Sequence, residues 1–451
     1  MGKLFGTDGV RGIANSELTV ELAYLLGKYG ALVLAGENHH KPKILVGSDT
    51  RISCPMLESA LVSGICSAGA DVCVCNVIPT PGIAKLISKY NADAGVVISA
   101  SHNTFEYNGI KFFSKDGYKL PDEIEEKIEL LIENAVCDDT KWPTGEDVGH
   151  RYYINEAALD YVKYLKESFP IDLSGFKIAL DCANGATSFI APELFRSLGA
   201  RVFAIGTDPD GININQNCGS THLKRLSDLV LSEKCDLGIA FDGDGDRMLA
   251  IDSEGKIVDG DVIMAVISLD LKETGKLKND TLVVTVMSNM GLDIFAANHG
   301  IILSKTSVGD RYVLERMKEN DYKIGGEQSG HIILSDYSTT GDGMLSALML
   351  LDVLKRNKKT LLEASKIMKV LPQVLKGIRV KNEMKIAALS DTDILNECGK
   401  IERKLEGKGR ILVRASGTEP LIRVMLEGED IDEITKMCDD VINIIKEKYS
   451  A

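Results

Sequence analysis

Residues 242–247 read Asp-Gly-Asp-Gly-Asp-Arg, directly after the apolar run Leu237-Gly238-Ile239-Ala240 and Phe241. That run suits a buried strand, so three carboxylates crowd onto the loop at its end. Glycines between them let the backbone curl around a small ion. Without a cation, each like-charge pair at about 4 Å costs on the order of 4 kcal/mol near a surface. A hard cation such as Mg²⁺ removes that cost, prefers oxygen ligands, and commonly takes a phosphate oxygen as well. An EF-hand calcium loop does not fit, because Arg247 stands where its glycine belongs and Ser253 where its bidentate glutamate belongs. A dinucleotide fingerprint fails on Met248, which takes the third glycine position. A solvated acidic turn is the plain alternative.

Ser101 is the second candidate. The run Gly95-Val96-Val97-Ile98 reads as a short strand that breaks into Ser99-Ala100-Ser101-His102-Asn103. Ligands of open α/β sheets bind beyond such strand ends, so Ser101 is expected at an exposed end, beside His102. The sequence turns apolar again at Gly109-Ile110-Lys111-Phe112-Phe113, which returns Lys111 to the same edge. A nucleophilic or phosphate-carrying serine with basic neighbours is one reading; an ordinary strand-to-loop turn is the other. If Ser101 carries a phosphate, that phosphate can fill an open position on the cation, and the serine and aspartates form one site.

Three further loops carry chemistry. Phe5-Gly6-Thr7-Asp8-Gly9-Val10-Arg11-Gly12 is a tight turn, either a hairpin or a backbone that brings Arg11 to a ligand. Arg414-Ala415-Ser416-Gly417-Thr418, followed by Arg423, supplies guanidinium, hydroxyls and Gly-permitted backbone donors. That set suits a phosphate, or else forms a polar hairpin. Gly325-Gly326-Glu327-Gln328-Ser329-Gly330-His331 offers a carboxylate, an amide and a hydroxyl, suited to a sugar or to a flexible connector. No GxxxxGK[ST] loop occurs, which argues against an ATP-dependent kinase.

The elements that hold these loops follow from strand–helix alternation. Strands are expected at 43–47, 72–77, 177–181, 200–205 and 281–286. Helices are expected at 17–34, 56–68, 186–198 and 292–298, with another opened by Pro79-Thr80-Pro81. Asp49-Thr50-Arg51 falls between a strand and a helix without an assigned role. This pattern predicts three related α/β domains with mostly parallel, mixed sheets. After Pro372 the order becomes strand 374–380, helix 394–405, strands 410–413 and 421–426, and helix 431–446. That is a smaller C-terminal α+β domain with an antiparallel sheet. The expected boundaries are 1–150, with a polar linker from 137, then 151–254, 255–370 and 371–451.

Net charge is −14 across 451 residues. Such a surface disfavours nucleic acid and anionic membranes, so an anionic substrate must be gripped by local Arg and Lys. No apolar run is long enough to span a bilayer and no signal peptide is evident. The ten cysteines, such as Cys66, Cys182 and Cys235, read as reduced, buried thiols of a cytoplasmic protein. They have no zinc-ligand spacing. The oligomeric state is open, a homodimer included.

Taken together, Gly6 to Gly12, Ser99 to Asn103, Asp242 to Arg247, Gly326 to His331 and Arg414 to Pro420 resemble the α-D-phosphohexomutase superfamily over the whole chain. The resemblance implies four domains around a central cleft, a phosphoserine at Ser101, and Mg²⁺ held by Asp242, Asp244 and Asp246 with the serine. It implies that Arg11, His102, Lys111, Arg247 and His331 surround the reacting phosphoryl group, with Lys111 a candidate acid/base. Glu327 and Ser329 would contact the sugar. Arg414, Ser416, Gly417, Thr418 and Arg423 would hold the other phosphate. The sugar loop resembles the version used on glucosamine phosphates. The implied reaction interconverts glucosamine 6-phosphate and glucosamine 1-phosphate through a 1,6-bisphosphate, and feeds UDP-N-acetylglucosamine synthesis. A mannose or glucose phosphate mutase with the same machinery is the alternative within the superfamily. A cation-dependent binding protein without turnover is the alternative outside it. Two departures stand out: Thr104 where a proline is usual, and Tyr107 where an aspartate is frequent.

Overall fold

The computed structural model describes residues 4–6, 8–35, 40–135, 141–405, 407–416 and 420–449. These fall into two compact units, one of 1–287 with 300–367 and one of 288–299 with 368–451.

The first unit holds three mixed sheets. In the first, strands β1 (Val10–Ile13), β2 (Lys43–Ser48), β3 (Asp71–Val77), β4 (Ala94–Ile98), β5 (Tyr107–Ser114) and β6 (Arg151–Tyr153) lie in the order β1-β5-β4-β2-β3-β6. Strands β4, β2, β3 and β6 run parallel, whereas β5 is antiparallel to both β4 and β1. The second sheet has β7 (Lys177–Asp181), β8 (Arg201–Ile205), β9 (Leu237–Phe241), β10 (Met248–Asp252) and β11 (Ile257–Val258), in the order β11-β10-β9-β7-β8. The third has β12 (Thr281–Thr285), β13 (Ile302–Thr306), β14 (Ile324–Gly326) and β15 (Ile332–Leu334), in the order β13-β12-β14-β15. One rule runs through all three. A parallel strand meets an antiparallel partner through a short loop: β4 to β5, β9 to β10, β14 to β15. Those loops carry Ser101, Asp242–Arg247 and Glu327–His331.

The central strands β4, β9 and β12 are near-continuous, fully buried apolar runs, as expected where helices cover both faces of a sheet. Val46, Val72, Val96, Ile98 and Phe112 pack in one core with Leu26, Leu57 and Leu61 from the helices Val20–Ala35 and Cys54–Ser67. Burying each such side chain contributes about 1.5–3 kcal/mol. The two helices cross so closely that a Cβ at Gly27 would stand 2.2 Å from the Leu61 carbonyl oxygen, and one at Gly64 would stand 2.1 Å from that of Tyr24.

Several expectations shift. The helix expected from Glu17 starts at Val20, because the Glu17 carboxylate accepts the Ile13 N–H at 2.8 Å and Leu18 is tied into the same turn. The helix expected from Ala186 starts at Ala191, because the Ala186 N–H donates to the Gly243 carbonyl in the aspartate loop. Val10–Ile13, read as a turn or hairpin, is an edge strand paired with β5. β6 lies beyond residue 150 yet pairs with β3 in the first sheet.

The second unit contains β16 (Gln373–Arg379), β17 (Gly409–Ala415) and β18 (Leu421–Gly428), in the antiparallel order β16-β18-β17. Helices Thr392–Leu405 and Ile431–Tyr449 pack on it through Ile394, Ile401, Ile434 and Val441 against Ile422, Val424 and Leu426. Buried Glu427 accepts from the Met290 N–H at 2.8 Å and from Arg410 Nε at 2.7 Å. It thereby ties the helix Met290–His299 to this sheet. Among the described residues no helix is long and apolar enough to cross a membrane, and the nine described cysteines are free. Cys66 is half-buried, not buried as expected.

Candidate active site

The aspartate loop leaves β9 with all three carboxylates inside the protein: Asp242 and Asp244 are fully buried and Asp246 is 4 % exposed. An oxygen from each lies within 4.8 Å of the others. Burial and the carboxylates of Asp246 and Asp244 push Asp242 well above the usual carboxylate range. Two oxygens of this cluster, Oδ1 of Asp244 and Oδ1 of Asp246, are buried without a hydrogen-bond partner among the described residues. Arg247 Nε stands 3.8 Å from the second, too far for a hydrogen bond. Native proteins rarely leave such atoms unsatisfied. Crowded, all-oxygen and anionic, this donor set fits a hard divalent cation.

Ser101 stands in this cluster. Its Oγ donates to Asp242 Oδ2 at 2.6 Å and lies 3.4 Å from His102 Nδ1. It does not stand at an exposed strand end, as the sequence suggested. It is 1 % exposed, because the second sheet's aspartate loop covers it. Its φ of +52° is left-handed, which side-chain-bearing residues seldom adopt. Burial, Arg247 and Arg11 draw His102 down to about 4, so its imidazole is neutral near pH 7.

Cations and carboxylates alternate around the cluster. Lys111, on β5, donates to Asp244 Oδ2 at 2.8 Å and lies 3.0 Å from Asp8 Oδ2. Burial opposes its charge, but Asp244 and Asp8 outweigh that and raise its pKa, so it is an ammonium. Thr80 Oγ1 donates to the same Asp244 oxygen at 2.7 Å. Asp8 pairs with Arg11 and with Lys119, and Lys119 reaches Asp310 at 2.5 Å. Asp310 Oδ2 lies 3.4 Å from His331 Nε2, and His331 Nδ1 lies 3.4 Å from Asp246 Oδ2. Burial disfavours a charged Asp246, yet His331, Lys111 and Arg247 hold it well below the usual range. The Gly341 N–H lies 3.1 Å from His331 Nε2, and Asp246 and Asp310 raise the imidazole's pKa against the cost of burial. Arg247 is held charged by Asp246, Asp242 and Glu327 against the cost of burial.

The loop between β14 and β15 is half-buried at Glu327 and Ser329. Glu327 Oε1 accepts the Gly309 N–H at 3.2 Å, and the Ser329 Oγ is buried without a partner. The loop docks on the strand after the aspartates: the Met248 N–H donates to the Gly330 carbonyl at 3.0 Å. A Cβ at Gly330, where φ is +90°, would stand 2.2 Å from the Met248 carbonyl oxygen.

In the second unit, Arg414 on β17 and Arg423 on β18 are direct cross-strand partners. Like charges so placed repel. Burial and Arg423 together lower the Arg414 pKa, and its Nε has no hydrogen-bond partner among the described residues. Ser416 is nearly buried, with its N–H donating to the Leu421 carbonyl at 2.9 Å. Gly417 and Thr418 lie outside the described residues.

Sequence reasoning passed over Asp8, Thr80, Lys119 and Asp310. Asp8 sits in the glycine turn already singled out, so its charge was a usable signal. Lys119 and Asp310 are separated by 191 residues and look like ordinary surface charges.

A serine against buried carboxylates, ringed by cations on three similar mixed sheets, is the equipment of a phosphoryl-transfer protein. Family models described as phosphoglucomutase/phosphomannomutase α/β/α domains I, II and III match residues 2–136, 159–255 and 259–371. The C-terminal domain model of the same family matches residues 355–444. The chain belongs to the phosphoglucomutase/phosphomannomutase family. It is 56 % identical over 451 residues to a phosphoglucosamine mutase of Clostridium novyi (strain NT), covering 100 % of both chains. It is likewise 56 % identical over 450 residues to one from Ruminiclostridium cellulolyticum, again covering 100 % of both. Among solved structures, a phosphoglucomutase/phosphomannomutase family protein from Burkholderia thailandensis has the same fold, with TM-score 0.81, 22 % identity, and 99 % and 98 % of the two chains covered. The N-acetylphosphoglucosamine mutase of Aspergillus fumigatus, solved with GlcNAc-6P and magnesium, gives TM-score 0.66 at 18 % identity, covering 98 % and 95 %.

Proposed function

We propose that this chain is a cytoplasmic isomerase that interconverts glucosamine 6-phosphate and glucosamine 1-phosphate through a phosphoserine at Ser101. The relatives' shared activity supports the substrate. The observation that carries the chemistry is the Ser101 Oγ held 2.6 Å from Asp242 in a carboxylate cluster with two orphaned oxygens.

Phospho-Ser101 gives its phosphoryl group to O1 of glucosamine 6-phosphate. The Oγ–P bond breaks, an O1–P bond forms, and the O1 proton leaves to a base of the site while Oγ takes one up. The 1,6-bisphosphate then turns over; its O6–P bond breaks and an Oγ–P bond forms, Oγ gives up its proton while O6 takes one up, and glucosamine 1-phosphate leaves. Relay through the serine splits the isomerisation into two in-line transfers. Asp242, Asp244, Asp246 and Ser101 would hold Mg²⁺, which when bound would supply charge neutralisation for the transferred group. Arg11, His102, Arg247 and His331 surround that group and orient it. Lys111 supplies positive charge and, as an ammonium, a proton. Glu327 and Ser329 orient the sugar. Arg414, Ser416, Gly417, Thr418 and Arg423 take the phosphate that is not reacting; the Arg414–Arg423 repulsion is relieved by a dianion. The four domains are close to 1–150, 151–254, 255–370 and 371–451, a division supported by the four family matches, with the first two cuts moved past β6 and β11, which pair in the first and second sheets.

Ser101→Ala should abolish turnover, by at least about 10⁴-fold on the scale of lost nucleophiles, yet leave sugar-phosphate binding by calorimetry largely intact. Substantial residual activity removes Ser101 from the role. The ratio of kcat/KM for glucosamine 6-phosphate to those for glucose and mannose 6-phosphates separates this reading from the mannose and glucose mutases.

A further inference from the structure

Asp49-Thr50-Arg51, at the end of β2, has no part in the relay above. Its arginine is nevertheless among the largest fully buried side chains of the protein. All five of its guanidinium N–H groups point inward. Nε donates to Asp49 Oδ2 at 2.9 Å. Nη2 donates to the carbonyls of Ser101 at 3.0 Å and Asn103 at 2.9 Å. Nη1 donates to the carbonyl of Tyr107 at 3.1 Å and to that of Thr104. Four carbonyls of the serine loop thus converge on one planar cation.

Two other residues complete the grip. Asn215, from the connection between β8 and β9, donates Nδ2 to the same two carbonyls, Ser101 at 2.9 Å and Asn103 at 2.8 Å. The Ser101 N–H donates to Ser99 Oγ at 3.0 Å, and that hydroxyl donates to Asp49 Oδ2 at 2.6 Å. Both main-chain groups of the left-handed serine are therefore held from the protein interior.

We infer that Arg51, fixed by Asp49 and assisted by Asn215, is a positioning residue that locks the serine loop so that Oγ of Ser101 keeps its place against Asp242 through each gain and loss of the phosphoryl group. The inference rests on the phosphoserine relay proposed above. A serine that alternates between a neutral hydroxyl and a dianion would otherwise pull its loop toward different arrangements in each state. Only a guanidinium has enough donors, in one plane, to serve four carbonyls and a carboxylate. Lysine has three donors and no fork. Because Arg51 reads carbonyls, not side chains, Thr104 and Tyr107 are accommodated without loss of the loop's shape.

The test uses the full-length enzyme, loaded with a hexose 1,6-bisphosphate, with phosphoserine counted by intact mass. Two variants are compared with the parent: Arg51→Lys, and Asn215→Gly, in which glycine tolerates the φ of +58° and only the donors are removed. Expected is a fall in kcat per folded, phosphorylated molecule of about 100-fold for Arg51→Lys and about 10-fold for Asn215→Gly, with KM within threefold. A residue needed only for folding would lower the folded fraction and leave that normalised kcat alone. A normalised kcat within twofold of the parent, or a rise in KM alone, overturns the inference. If Arg51→Lys does not fold, Asn215→Gly decides by the same criterion. Ser101→Ala run in parallel separates the two readings. An active Ser101→Ala enzyme sinks the relay and this inference with it, whereas an inactive one beside unimpaired Arg51→Lys and Asn215→Gly enzymes sinks this inference alone.

Discussion

Oδ1 of Asp244 and Oδ1 of Asp246 are both buried, and neither has a hydrogen-bond partner among the described residues. Lys111 and His331 satisfy the opposite oxygens of the same two carboxylates. The cluster is therefore half-neutralised by the protein, with two oxygens and the raised Asp242 left for a cation. Binding that favours the folded state stabilises it by about 2.7 kcal/mol at 100 times Kd. Mg²⁺ titrated into the parent should raise the thermal midpoint accordingly. Asp246→Asn should cut the affinity at least tenfold by calorimetry, because it removes a ligand charge. Parental affinity in that variant would exclude Asp246 as a ligand.

At the scale of elements, the site is made by one device used three times. A strand buried in the parallel part of a sheet ends, and the return strand is antiparallel, so the connecting loop stays short and is held at both ends. The helix Gly343–Asn357 shows how such elements are anchored. Its N-cap Asp342 is 2 % exposed, accepts the Leu345 N–H at 2.9 Å, and accepts the Tyr161 hydroxyl at 2.7 Å. Burial raises Asp342 to about 6 against the opposing hydrogen bonds. With the folded pKa above the unfolded one, the folded state holds its proton more tightly. The contribution is full below about pH 4 and is lost as pH rises through about 6. At most about 3 kcal/mol is involved, from 1.36 kcal/mol per unit. Asp342→Asn keeps an acceptor for Leu345 and removes the buried charge. Its stability relative to the parent should therefore rise between pH 4 and pH 7 in denaturant melts. A difference that is flat across that window would mean that Asp342 is not opposed by its surroundings.

At the scale of the molecule, each compact unit has its own core. In the second unit, Glu427 joins residues from distant parts of the chain, bonding Met290, Arg410 and Gln373. Removing a buried, paired charge costs about 3–5 kcal/mol when its partner remains. Glu427→Leu should accelerate amide exchange in 288–299 and 368–449 while protection in β2, β4 and β9 holds. Equal loosening of both sets would show that the two units unfold as one.

The alternation of apolar runs with helical stretches, and the change after Pro372, are local in the chain, so the fold class and most strands were readable before any coordinates. Ser101 and the aspartates were singled out as well, the serine only through its company with the other motifs, since a lone serine loop is commonly an ordinary turn. Charges that acquire meaning only across sheets were not readable. Lys119 and Asp310 resemble solvated residues until folding buries them together, and Arg51 resembles any loop arginine until four carbonyls close around it. The burial of Ser101 itself was misjudged, because the loop that covers it comes from another sheet. Chemistry in this protein was written into residue types and short spacings. Protonation states and the conformation of the reactive loop were decided by which distant charges share a low-dielectric interior, where electrostatic interactions are stronger than in water.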